Sequence, residues 1–151
     1  MPITATVGIY GTTVQSTRAV AYAGVAITNR GNTCDLLQRH VDPANTVALV
    51  IEVGRGGATA TEAGAISPGT YSVAGSSDVQ VVVAYSASDA QCLARTSAQA
   101  SMGTVTLTQA DSGTVAGSFD VTFPSGDRIA GTFSAPVCNA DISSPATTCG
   151  S

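Results

Sequence analysis

A chain of 151 residues with 11% charged side chains and a net charge of -4 has only six basic groups, all of them arginine, and none in a run. Binding to phosphate backbones works by displacing counterions along a basic stripe, so nucleic acid is excluded as a partner, and anionic membrane surfaces are disfavoured for the same reason. At 44% hydrophobic residues the composition is not that of a disordered segment, and the length suits one domain, residues 1–151, which buries roughly two thirds of its unfolded surface.

Alternation and turn signals predict about eight strands. The first covers residues 4–10. The second, 17–28, is apolar on both faces as a central strand should be, with Ala19, Ala21 and Ala23 allowing close packing on one side. In the stretch 47–53, Val47, Leu49, Ile51 and Val53 alternate with Ala48, Val50 and Glu52. Strands follow at 69–73, 79–85, 103–109, 114–123 and 128–135, separated by Gly, Ser and Asp. Short strands at this spacing indicate an all-β fold: an antiparallel sandwich or partly open barrel of seven or eight strands. One short helix is expected near 33–40, capped by Asn32 or Thr33 and ended by Asp42 and Pro43. The stretches 55–68 and 87–102 read as irregular connections, and about 139–151 as a flexible tail.

The hairpin within 117–138 is the most specific element. Phe119, Val121 and Phe123 share one face, as do Ile129, Phe133 and Ala135. Facing residues of an antiparallel pair point the same way, so Phe123 is expected opposite Ile129 and Phe119 opposite Phe133, around the turn Ser125, Gly126 and Asp127. The glycines before each ring, Gly117 and Gly131, relieve crowding or mark a bend.

Cys34, Cys92, Cys138 and Cys149 include no C-x-x-C pair and are accompanied by a single histidine. That pattern fits two disulfides in an oxidising compartment better than a zinc site. Residues 103–135 form a three-stranded meander whose end, near Cys138, lies opposite its start, which Cys92 approaches. A Cys92–Cys138 bond is therefore disfavoured, because bridged Cα atoms must lie within about 7 Å. The expected pairing is Cys34–Cys138 with Cys92–Cys149, and the alternative is Cys34–Cys92 with Cys138–Cys149. No apolar run approaches the ~18 residues of a membrane span. The start of the chain shows neither the basic nor the apolar region of a secretion signal, and we read it as a mature form with an added initiator Met.

Catalytic chemistry is sparsely represented. His40, close to Asp42, is the sole histidine, and no Gly-x-Ser-x-Gly elbow accompanies it. Glu52, set among aliphatic residues, invites a raised pKa, or else points to water from an edge strand or pairs with Arg18 or Arg128. Asp120 is on the outward face of its strand. Clusters such as Asp111, Ser112 and Gly113, or Ser125, Gly126 and Asp127, are turn residues that lack the paired carboxylates of a calcium loop. No cofactor, metal site or catalytic residue is expected.

The motifs Ala26-Ile-Thr-Asn-Arg-Gly-Asn-Thr-Cys34, Pro68-Gly-Thr-Tyr71, Ser88-Asp-Ala-Gln-Cys92, Gly103-Thr-Val-Thr-Leu-Thr108, Gly117-Ser-Phe-Asp-Val-Thr-Phe123 and Gly131-Thr-Phe-Ser-Ala-Pro-Val-Cys138 resemble uncharacterised four-cysteine secreted or lipoprotein-type β domains of high-GC bacteria. The resemblance implies a fold and an extracellular or cell-envelope location, and no activity. The expected function is a structural or protein-interaction role with a protein partner or with itself, its first strand pairing with a neighbour's sheet edge. A carrier of small hydrophobic ligands is the alternative, and an enzyme the third reading.

Overall fold

The computed structural model describes residues 5–15, 18–57, 59, 64–75, 78–141 and 145–150. Among them are eleven strands and one short helix, α1 (Thr33–Gln38). One antiparallel sheet runs β1 (Ala5–Gln15), β2 (Arg18–Thr28), β4 (Val47–Gly57), β6 (Val79–Ser88), β7 (Ala94–Gln99). The other runs β10 (Arg128–Pro136), β9 (Thr114–Thr122), β8 (Met102–Ala110), β5 (Gly69–Ser72). A small parallel pair joins β3 (Val41–Pro43) to β11 (Thr148–Gly150). The architecture is the expected all-β antiparallel sandwich.

Period-two patterning builds the core. Ala21, Ala23, Val25, Ile51, Val53 and Val83 form the inner face of the first sheet and are completely buried. Val105, Leu107, Val115, Val121 and Phe133 face them from the second. Each such aliphatic side chain contributes about 1.5–3 kcal/mol on leaving water. Within the connection 58–68, Ile66 is buried in this core at 2% exposure. The link read as an irregular connection thus supplies a core residue; its residues 58 and 60–63 lie outside the described set.

The hairpin keeps its predicted faces but not its predicted register. Phe119 lies opposite Gly131 and Phe133 opposite Gly117, two residues away from the Phe119–Phe133 opposition, and Ile129 faces Val121 rather than Phe123. The physical reason is space. A Cβ at Gly131 would stand 3.2 Å from the Phe119 ring, and one at Gly117 would stand 2.0 Å from the Thr106 carbonyl oxygen. The two rings meet diagonally instead, with centroids 6.5 Å apart. The turn keeps three residues but moves back by one, to Pro124, Ser125 and Gly126: Phe123 N–H bonds to the Asp127 carbonyl and Gly126 N–H to the Phe123 carbonyl.

Other expectations change as well. The first strand extends to Gln15 and is paired along its whole length with β2, as an outer strand of its sheet. Residues 94–99, expected to be irregular, form β7 on β6. The helix ends at Gln38, because His40 takes a left-handed backbone (φ 53°), and the chain then enters β3. The expected tail returns to the fold as β11, parallel to β3. Both disulfides have the expected pairing, Cys34–Cys138 and Cys92–Cys149.

Candidate functional site

The sandwich has two sides, and they are built differently. On one side, β1 and β10 approach each other. Gly8 forms a parallel bridge with Val137, and its carbonyl accepts the Cys138 N–H at 2.8 Å. A Cβ at Gly8 would stand 3.0 Å from the Ala135 carbonyl oxygen, so only glycine permits this approach. The Cys34–Cys138 bond, with Cys138 buried, locks α1 onto the same side.

On the other side, β7 is the edge of the five-stranded sheet and all six of its residues are exposed. Ala100 N–H bonds to the Val83 carbonyl at 2.8 Å. Main-chain groups of an antiparallel strand alternate between its two sides, so Ala98 also faces β6, while Ser97 and Gln99 turn theirs outward. Among the described residues no main-chain partner meets them there. The strand is flanked by Leu93 and Met102, the two exposed large hydrophobic residues of the described set, at 60% and 61%. The remaining edge of the four-stranded sheet is β5, only four residues long.

The turn leading into β7 is firmly held. One Asp89 carboxylate oxygen accepts the N–H groups of Gln91 (2.9 Å) and Leu93 (3.0 Å), and the other pairs with the Arg95 guanidinium. Burial opposes ionisation of Asp89, but these main-chain donors and Arg95 outweigh it and hold the carboxyl below the ordinary aspartate range. Cys92, with φ 60°, then ties the turn to β11 through Cys149.

The polar residues at the α1 end of the first sheet hold one another. Thr28 and Thr46 are both buried, and their hydroxyls are satisfied. The Thr28 hydroxyl meets that of Thr33 at 2.7 Å, and Thr46 accepts Arg30 Nε–H at 3.0 Å while donating to the Ala44 carbonyl. Arg30 also donates to that carbonyl, and Ser88 Oγ donates to the Pro43 carbonyl at 2.9 Å. Beside this cluster is an open concavity of about 200 Å³, bordered by Asp42, Ala48, Ser86 and Cys92. It lies outside the space between the sheets.

The residues singled out for chemistry are dispersed. Glu52 is on β4, the middle strand of its sheet, and not on an edge. It faces outward between Gly24 and Val82, and burial raises its carboxyl above the ordinary glutamate range. The sheet is tight here, since a Cβ at Gly24 would stand 2.2 Å from the Ile51 carbonyl oxygen. Tyr22 is buried on the same outer face, and its phenol is raised by burial and by the charges of Glu52 and Asp141. Asp120 is on the outer face of the opposite sheet, where it pairs with Arg128 and is held below the ordinary aspartate range by that hydrogen bond. The Asp120–Arg128 pair also removes Arg128 as a partner for Glu52. His40 follows α1, and its carbonyl accepts Thr147 N–H. The structure brings none of His40, Glu52 and Asp120 together. Among the described residues no cluster of His, Cys, Asp or Glu has the geometry to hold a metal ion. The Asp111 carboxylate accepts Gly113 and Thr114 N–H, each at 2.8 Å, as a turn residue.

Sequence reasoning missed β7. Its residues, Ala-Arg-Thr-Ser-Ala-Gln, show no hydrophobic alternation because neither face is buried. The available signal was Asp89, whose side chain organises the reversal that brings the chain back along β6. Comparison with protein-family models, curated proteins and solved structures finds no match to this chain.

Proposed function

We propose that this chain is a non-enzymatic domain of the extracellular space or cell envelope that works by protein contact, through the bare edge of β7. The observation that carries this reading is the edge itself. Its strand is exposed throughout, its outward N–H and C=O groups meet no main-chain partner among the described residues, and an exposed apolar side chain stands near each end. Folded proteins normally blunt such edges, because the edge accepts any extended chain through main-chain bonds alone. The two disulfides support an oxidising compartment. Among the described residues no helix is long and apolar enough to cross a membrane.

Photo-cross-linking tests the reading. A photoactivatable residue replaces Thr96 on β7 or, as the control, the exposed Thr132 on β10. A discrete protein adduct is expected from position 96 alone. Equal adducts from both positions, or none from either, would contradict a role for β7. Native mass spectrometry of the freshly isolated chain tests the carrier alternative, which a retained hydrophobic ligand would favour.

A further inference from the structure

We infer that the occupant of the β7 edge is a second copy of this chain, paired antiparallel across a two-fold axis through Ser97, a proposal that rests on the interaction reading above. When a sheet continues across a two-fold axis, facing residues must point to the same side. Two copies of one strand can meet this only if the facing residue numbers are both odd or both even. The outward main-chain groups belong to Ser97 and Gln99, and an axis through Ser97 makes Ser97 and its copy a doubly hydrogen-bonded pair. With Ser97 facing Ser97, Thr96 faces Ala98 and Arg95 faces Gln99.

This pairing suits the side chains. No like charges oppose each other, and the facing residues at the centre are small. Two molecules of net charge -4 repel. Residues 93–102 hold a single charge, Arg95, already paired with Asp89, so the repulsion is least opposed to contact along this stretch. The same stretch holds both exposed large apolar residues, and the pairing brings Leu93 of one copy to the end where Met102 of the other stands. Two such short strands bury less than the roughly 1,200 Å² of a standard stable interface, so the association is weak and depends on concentration.

The test is the molar mass of the intact chain in solution, measured by light scattering across a dilution series that reaches about 1 mM. Wild type should move from one chain to two as concentration rises. Ser97→Pro removes one outward N–H and leaves the bonds to β6 intact, so it should keep the same melting temperature and stay at one chain throughout. A second variant, Leu93→Asp with Met102→Asp, should weaken dimerisation at least tenfold without touching the β6–β7 ladder. A single-chain mass for wild type at the highest concentration overturns the proposal, as does dimerisation of Ser97→Pro equal to wild type. If wild type stays single while position 96 still cross-links to a different protein, the second-copy assignment falls and the interaction reading stands. If both fail, both fall.

Discussion

The two sides of this sandwich solve the same problem in opposite ways. Where β1 and β10 approach, a bridge at Gly8 and Val137, a main-chain bond from Cys138 and the Cys34–Cys138 disulfide tie the two sheets together. At β7 the edge is short, polar and, among the described residues, without main-chain partners, and its disulfide, Cys92–Cys149, secures the preceding turn rather than the strand. The contrast is what supports the proposed contact role of the β7 edge.

The comparison breaks most readily at the disulfides. Replacing Cys34 and Cys138 together by Ser should cost about 2–5 kcal/mol in chemical denaturation and loosen β1. Replacing Cys92 and Cys149 together should cost less. Their sequence separations, 104 and 57 residues, differ by only about 0.5 kcal/mol in loop entropy, so the remainder reports the packing of the closed side. Equal losses from the two pairs would remove the distinction between the sides. A smaller effect comes from the plug between the sheets: Ile66→Val should cost about 0.5–1.5 kcal/mol and leave self-association unchanged. A change in association would tie the β7 edge to the core and blur the comparison.

Glu52 sharpens it further. Burial raises its carboxyl in the folded state, so the folded chain holds its proton more tightly than the unfolded one. The stability this gives is full below the unfolded value of about 4.3 and is lost as pH rises through the folded value. Glu52→Gln should match wild type near pH 4 and exceed it near pH 8, by about 1 kcal/mol or less. Wild type as stable as the variant at pH 8 would show that the carboxylate there is well solvated. The smallest effect is expected at Asp120, whose exposed pair with Arg128 is screened by water. Asp120→Asn should leave the melting temperature unchanged within error, and a clear drop would show that the outer face of the second sheet matters to the fold.

The legible parts of this molecule were those in which one face is buried. Alternation at Ile51 and Val53 or at Val115 and Val121 is written by the core, and the strands were read from it. The sequence order of the meander spoke against a Cys92–Cys138 bond, and the structure decides between the two remaining pairings. Register was not legible at the Phe119–Phe133 hairpin, because it turns on which side chain has room for a ring, and that is a property of the facing strand. Strand β7 was not legible because it buries nothing. Its pairing comes from the turn at Asp89 and the free main chain of β6. The surface assigned to function here is therefore the one that leaves no hydrophobic pattern in the sequence.

Amide exchange along β7 tests the central claim most directly. In dilute protein Ala98 and Ala100 should be protected by β6, while Ser97 and Gln99 exchange freely. As concentration rises, Ser97 and Gln99 should slow and their neighbours should not change. If all four exchange at rates independent of concentration, or if Ser97 and Gln99 are protected at the lowest concentration, the bare, self-pairing edge is contradicted.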